Sequence, residues 1–178
     1  MMKKRATIVL MLLMSTIFVS ISCGEKYSIF SEKYPVNFGF DTSIAPYNQV
    51  FSMGVFITAR ISGNYIVVIS SDSTEYKFPL TEVDARTFRM GLGGLIIGTP
   101  SLNNDEISIW AYDLACPICD LAKYRLNIEY SGIALCSHCA TKFDLNNSGF
   151  VISSSAKDAR PLYRYPVFLG GKIVSVRN

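Results

Sequence analysis

Two cysteine pairs, Cys116-Pro117-Ile118-Cys119 and Cys136-Ser137-His138-Cys139, constrain this chain more than any other feature. Two residues between thiolates let a short loop turn back and aim both sulfurs at one point, and the sixteen residues from Asp120 to Leu135 are a hairpin-length spacer that brings the loops together. Four thiols so placed read as one metal site, with Cys116, Cys119, Cys136 and Cys139 as ligands. In the insert, Tyr124, Leu126, Ile128 and Tyr130 alternate. That period predicts a strand between the loops, and a site at the tip of a small sheet.

Length and composition bound the rest. With 178 residues, 49% of them hydrophobic, the chain is long enough for one domain with a core and too short for two large ones. The formal charge of +3 is an effect of Lys3, Lys4 and Arg5. Without them 14 basic residues face 14 acidic ones, and no Lys/Arg cluster is present. Nucleic acid is therefore excluded as a partner, because its affinity needs phosphate neutralisation.

The first 22 residues read as a signal peptide: Met1 to Arg5 is basic, Ala6 to Ile21 is apolar, and Ser22 is a small residue before Cys23. Ser22-Cys23-Gly24 resembles the lipobox of bacterial lipoproteins, although Ser20 stands where Leu, Val or Ile is usual. The resemblance implies lipidation of Cys23, which leaves an even four cysteines. Residues 23–33 would be the lipidated cysteine and a polar tether, and 34–178 a single β domain. The implied location is the bacterial cell envelope, lipid-anchored, with Gly24 rather than aspartate directing the protein to the outer membrane. The implied partners are membrane lipid through Cys23 and a redox or structural protein of the envelope.

From Tyr34 onward no long amphipathic helical pattern appears, and short β-branched and aromatic runs end at Gly, Pro, Asn, Ser or Asp. This is an all-β signature. The expected strands are Val36-Phe40, Phe51-Ile61, Tyr65-Ile69, Glu75-Phe78, Gly94-Gly98, Ile107-Tyr112, Ile133-Leu135, Phe150-Ser153, Leu162-Phe168 and Lys172-Val176. Turns are expected at Ser62-Gly63-Asn64, Asn146-Asn147-Ser148-Gly149 and Gly170-Gly171.

The run Trp110-Ala111-Tyr112-Asp113-Leu114-Ala115-Cys116-Pro117, then Cys136, Phe143-Asp144, Gly149 and Pro161-Leu162-Tyr163-Arg164-Tyr165-Pro166-Val167, resembles a Rieske iron–sulfur domain over about residues 85–178. Gly93-Gly94-Leu95-Ile96-Ile97-Gly98 is similar to the strand that opens that fold. The resemblance implies a Rieske-like antiparallel sheet sandwich with a small subdomain of two cysteine loops, and carries Cys116 and Cys136 over as ligands. The family's two histidines do not carry over. Ile118 stands in place of the first and Cys119 follows it; Cys139 stands in place of the second; and Ala140 replaces the glycine that usually comes next. Cys119 and Cys139 are assigned by spacing alone.

Three readings of the four cysteines follow. The one placed first is structural zinc in a tetrahedron of thiolates. A [2Fe-2S] electron-transfer centre comes next, with a potential lowered toward plant-type ferredoxin values because thiolates replace imidazoles. Third, two disulfides would form in an oxidising compartment, with cross-loop bridges such as Cys119 to Cys139 less strained than bridges within a loop. His138, the single histidine, is assigned a supporting contact beside the site rather than ligation, since four thiolates already fill a tetrahedron. Trp110, Tyr112 and Phe143 are expected to pack around the site, and Asp144 to hold a turn. One histidine allows no Ser/His/Asp set, so the chain reads as non-catalytic, and at most as an electron-transfer component of an oxidoreductase system.

Overall fold

The structure, a computed structural model, describes residues 29–101 and 108–178. Cys23, the signal peptide and most of the tether lie outside the described residues, as does Ile107. The strands, in chain order, are β1 (Val36–Asp41), β2 (Val55–Ser62), β3 (Tyr65–Ile69), β4 (Glu75–Pro79), β5 (Arg89–Met90), β6 (Leu95–Thr99) and β7 (Trp110–Asp113). They continue as β8 (Leu126–Glu129), β9 (Ile133–Cys136), β10 (Lys142–Asp144), β11 (Phe150–Ser153), β12 (Arg164–Tyr165), β13 (Val167–Gly170) and β14 (Ile173–Arg177). They form three antiparallel sheets, in the orders β13-β14-β1-β5, β12-β7-β6-β2-β3-β4 and β11-β10-β9-β8. The fold is all-β.

Side-chain alternation along the strands explains how the sheets stack. On β2, Ile57 and Ala59 face one way and, with Leu95, Ile97 and Ala111, pack against Phe38, Phe40, Val174 and Val176 of the first sheet. Phe56 faces the other way and, with Ile96 and Tyr112, packs against Phe143, Leu145, Leu126 and Ala134 beneath the two cysteine loops. The six-stranded sheet is thus covered on both faces around β6, all five of whose residues are buried. A strand buried on both sides needs no polar alternation, which is why Leu95-Ile96-Ile97 reads as one apolar run.

Several boundaries differ from expectation for local reasons. The strand expected over Phe51-Ile61 begins at Val55, because a 3-10 helix (Tyr47–Phe51) and a turn at Gly54, with φ of 72°, precede it. Leu162-Phe168 is two short strands rather than one. Pro166 has no N–H for a ladder, and there the chain leaves the six-stranded sheet at β12 and enters the outer sheet at β13. The strand expected to end at Tyr112 starts at Trp110 and runs to Asp113. A helix of six residues, α1 (Glu82–Thr87), is started by a reciprocal cap between Thr81 and Asp84. At the start of the domain, packing reaches back before Tyr34: Ser31 N–H donates to Arg164 O at 2.7 Å, and Lys33 and Tyr34 both meet Asp120.

Candidate metal centre

The two cysteine loops repeat one conformation. Asp120 N–H donates to Cys116 O at 2.9 Å, and Ala140 N–H donates to Cys136 O at 2.8 Å. The residue closing each loop is left-handed, with φ of 52° at Asp120 and 56° at Ala140. In the first loop the Ile118 and Cys119 amides also donate to Cys116 Sγ. The first loop therefore folds around its own first sulfur, and the second closes through the same backbone turn.

Each loop is carried by the small sheet and its neighbour. Cys136 is the last residue of β9 and pairs with Leu126 of β8. Cys116 follows β7 and is held to the start of the insert by its N–H on Tyr124 O at 2.9 Å and by the adjoining Ala115–Arg125 bridge. The strand expected between the loops is β8, Leu126–Glu129, somewhat shorter than the alternating pattern.

The result is a compact group of four sulfurs, all within 4.8 Å of one another. The shortest contacts run between loops: Cys116 to Cys139 at 3.6 Å and Cys119 to Cys136 at 3.7 Å. All four are free thiols. Cys116 and Cys136 are fully buried, whereas Cys119 and Cys139 are partly exposed, so the cluster has an inner and an outer edge. Four cysteines so gathered can hold one metal ion.

The surroundings set the thiols apart. Burial pushes Cys116 up to about 11, against the pull of the two amides on its sulfur. Burial also raises Cys119 strongly, reinforced by the Cys139 and Cys136 thiols beside it. For Cys139 burial acts upward too, but contacts from the Thr141 side chain and backbone, with Cys136 and Cys119, outweigh it and bring the thiol to about 7. Thr141 is fully buried, its Oγ1 3.3 Å from Cys139 Sγ and 2.9 Å from Ser154 Oγ.

Other residues fix the loops from outside. Asp120 takes hydrogen bonds from Tyr34 OH at 2.8 Å and Tyr163 OH at 3.0 Å and pairs with Lys33, while Arg160 Nε donates to Pro117 O at 3.0 Å. His138 is exposed and lies flat on Tyr124, rings 3.8 Å apart and 5° from parallel. The compact group of ligand atoms contains the four sulfurs and not this imidazole. Tyr112 and Phe143 are fully buried in the cluster beneath the loops, and Trp110 packs against its edge. Asp144 accepts the Asn146 N–H at 2.9 Å within the expected turn.

The sequence motifs assign no role to Asp113. It is fully buried at the end of β7 and accepts from the amides of Leu92 (2.6 Å), Gly93 (3.0 Å) and Ala115 (2.7 Å) and from Tyr165 OH (2.8 Å). Burial holds its carboxyl above the usual range despite the four donors. The signal was a lone carboxylate inside the run Tyr112-Asp113-Leu114, with Gly91 and Gly93 upstream. A Cβ at Gly91 would strike Asp113 itself, and one at Gly93 would lie 2.7 Å from Ala115 N.

Ala140 occupies a backbone position that favours glycine. Ala140→Gly is expected to raise the unfolding free energy by about 1 kcal/mol, measured by urea denaturation, because the left-handed cost of a Cβ disappears. A loss of stability would mean that the second loop is not closed in this conformation.

No family model matches the chain, and no curated protein or solved structure does.

Proposed function

We propose that the protein is a non-catalytic, membrane-tethered metal-binding protein in which one ion, zinc ahead of iron, staples two cysteine loops to a Rieske-like β domain. The single observation that carries the reading is the closeness of all four sulfurs. A zinc tetrahedron with bonds of about 2.3 Å has edges of roughly 3.8 Å. The contacts of 3.6 and 3.7 Å between loops suit that size. A two-iron cluster instead places two bridging sulfides between its terminal thiolate pairs, which spreads the four sulfurs beyond a single-ion tetrahedron. The [2Fe-2S] electron-transfer alternative therefore fits this arrangement less well. The disulfide alternative needs a sulfur separation of about 2.05 Å.

The tether rests on Ser22-Cys23 and the apolar run before it. A lipid on Cys23 would keep the domain at the envelope membrane, and the packing of Ser31 and Lys33 leaves only a short connection.

The thiol chemistry gives a test of metal binding. Cys116 and Cys119 are raised, so both hold protons at neutral pH and must release them to bind an ion. Protons then compete with metal, and affinity rises as pH rises. Zinc affinity, measured by chelator competition at pH 6 and pH 7, is expected to increase at least a hundredfold over that unit, one tenfold factor for each of the two thiols. An increase below tenfold would contradict coordination by these sulfurs.

A further inference from the structure

A cleft of about 910 Å³ opens between the outer face of the six-stranded sheet and the small sheet. Thr58 and Arg60 of β2 line one wall, and Arg125 with β8 lines the other. The small sheet covers Phe56, Ile96 and Tyr112 but not this part of β2, which leaves a space of the size that holds small organic ligands.

The charges in the cleft are unequal in their partners. Of its two carboxylates, Asp72 accepts from Ser70 Oγ and from Thr74 N–H, and Glu129 pairs with Lys142 at 3.4 Å. Among the described residues neither Arg60 nor Arg125 pairs with a carboxylate. Arg125 Nε donates to Gly93 O at 2.9 Å, which fixes the plane of its guanidinium. Both arginines line the same cleft, one of them oriented, and guanidiniums bind planar or tetrahedral anions through paired N–H groups. The half-buried Ile69 and Ile128 at the same cleft would contact the carbon part of a ligand.

We propose that this cleft binds a small organic anion, a carboxylate or phosphate ester, held between Arg60 and Arg125. The inference does not rest on the metal centre, whose group of ligand atoms is the four cysteine sulfurs and includes neither arginine. The experiment is calorimetric titration of the purified full-length protein with inorganic phosphate and, separately, with succinate, at low salt. At least one probe is expected to bind saturably with a Kd in the low millimolar range, and which probe binds identifies the head group. Arg60→Gln is expected to weaken it at least tenfold with an unchanged unfolding midpoint, and Arg125→Lys, which keeps the charge but not the paired donors, to weaken it less. Absence of saturation by either probe up to about 20 mM would overturn the proposal. So would equal binding by the two variants and the unmodified protein.

Discussion

Replacing Cys116 and Cys136 together by serine is expected to abolish metal binding and to lower the unfolding free energy of the metal-loaded protein by roughly 5 kcal/mol or more. Ion binding to a site that does not exist in the unfolded chain is folding free energy, and total stability of a domain is of that same order. These two sulfurs are fully buried in the apolar cluster with Tyr112, Phe143 and Leu145. Cys119 and Cys139 lie at the exposed edge, where a serine hydroxyl can reach water. Serine at Cys119 or Cys139 alone should thus cost less than serine at Cys116 or Cys136 alone. Urea denaturation with and without added zinc measures both points. If the double variant and the parent differ by less than about 1 kcal/mol in zinc, the ion is no staple.

Asp113→Ala is expected to cost about 4 kcal/mol without touching a thiol. The substitution leaves two buried amides, the part-buried Leu92 amide and the Tyr165 hydroxyl without their acceptor, and an unsatisfied buried donor costs roughly 1–3 kcal/mol each before relaxation. Tyr165→Phe removes one donor and leaves the carboxylate three, so about 1 kcal/mol is expected there. Because Ala115 N–H is one of the donors and Cys116 is the next residue, Asp113→Ala should also weaken zinc binding, whereas Tyr165→Phe should not. Equal stability of Asp113→Ala and the parent would mean that the Gly91–Gly94 segment does not depend on this carboxylate.

The sequence made some of this legible and hid the rest for physical reasons. The cysteine loops were readable because thiol spacing is local: four residues determine a loop, and β8 between the loops showed its period at Leu126 and Ile128. The strand content was readable because β-branched and aromatic residues cluster between turn residues. The layering was not, since Leu95-Ile96-Ile97, buried on both faces, carries no alternation to tell which side meets which sheet. Pro166 looked like the interior of one strand because its neighbours Tyr165 and Val167 are both good strand formers; the sheet exchange there depends on partners far away in the chain. Asp113 and Thr141 were not legible because each is a polar residue whose use appears only when distant segments converge, Asp113 on Leu92 and Tyr165, Thr141 on Ser154. The cleft beside Arg60 has no sequence signal, as it is made by what the small sheet leaves uncovered.

Metal and thiol content of anaerobically purified protein decides whether one ion is held by four thiolates. About one zinc per chain, no acid-labile sulfide, and four thiols that become reactive only when a chelator removes the ion are expected. Two irons with two sulfides per chain would replace the single ion by an electron-transfer cluster. Less than about a tenth of a metal per chain, with no reactive thiols after unfolding, would rule out a four-thiolate ion and leave two disulfides in its place.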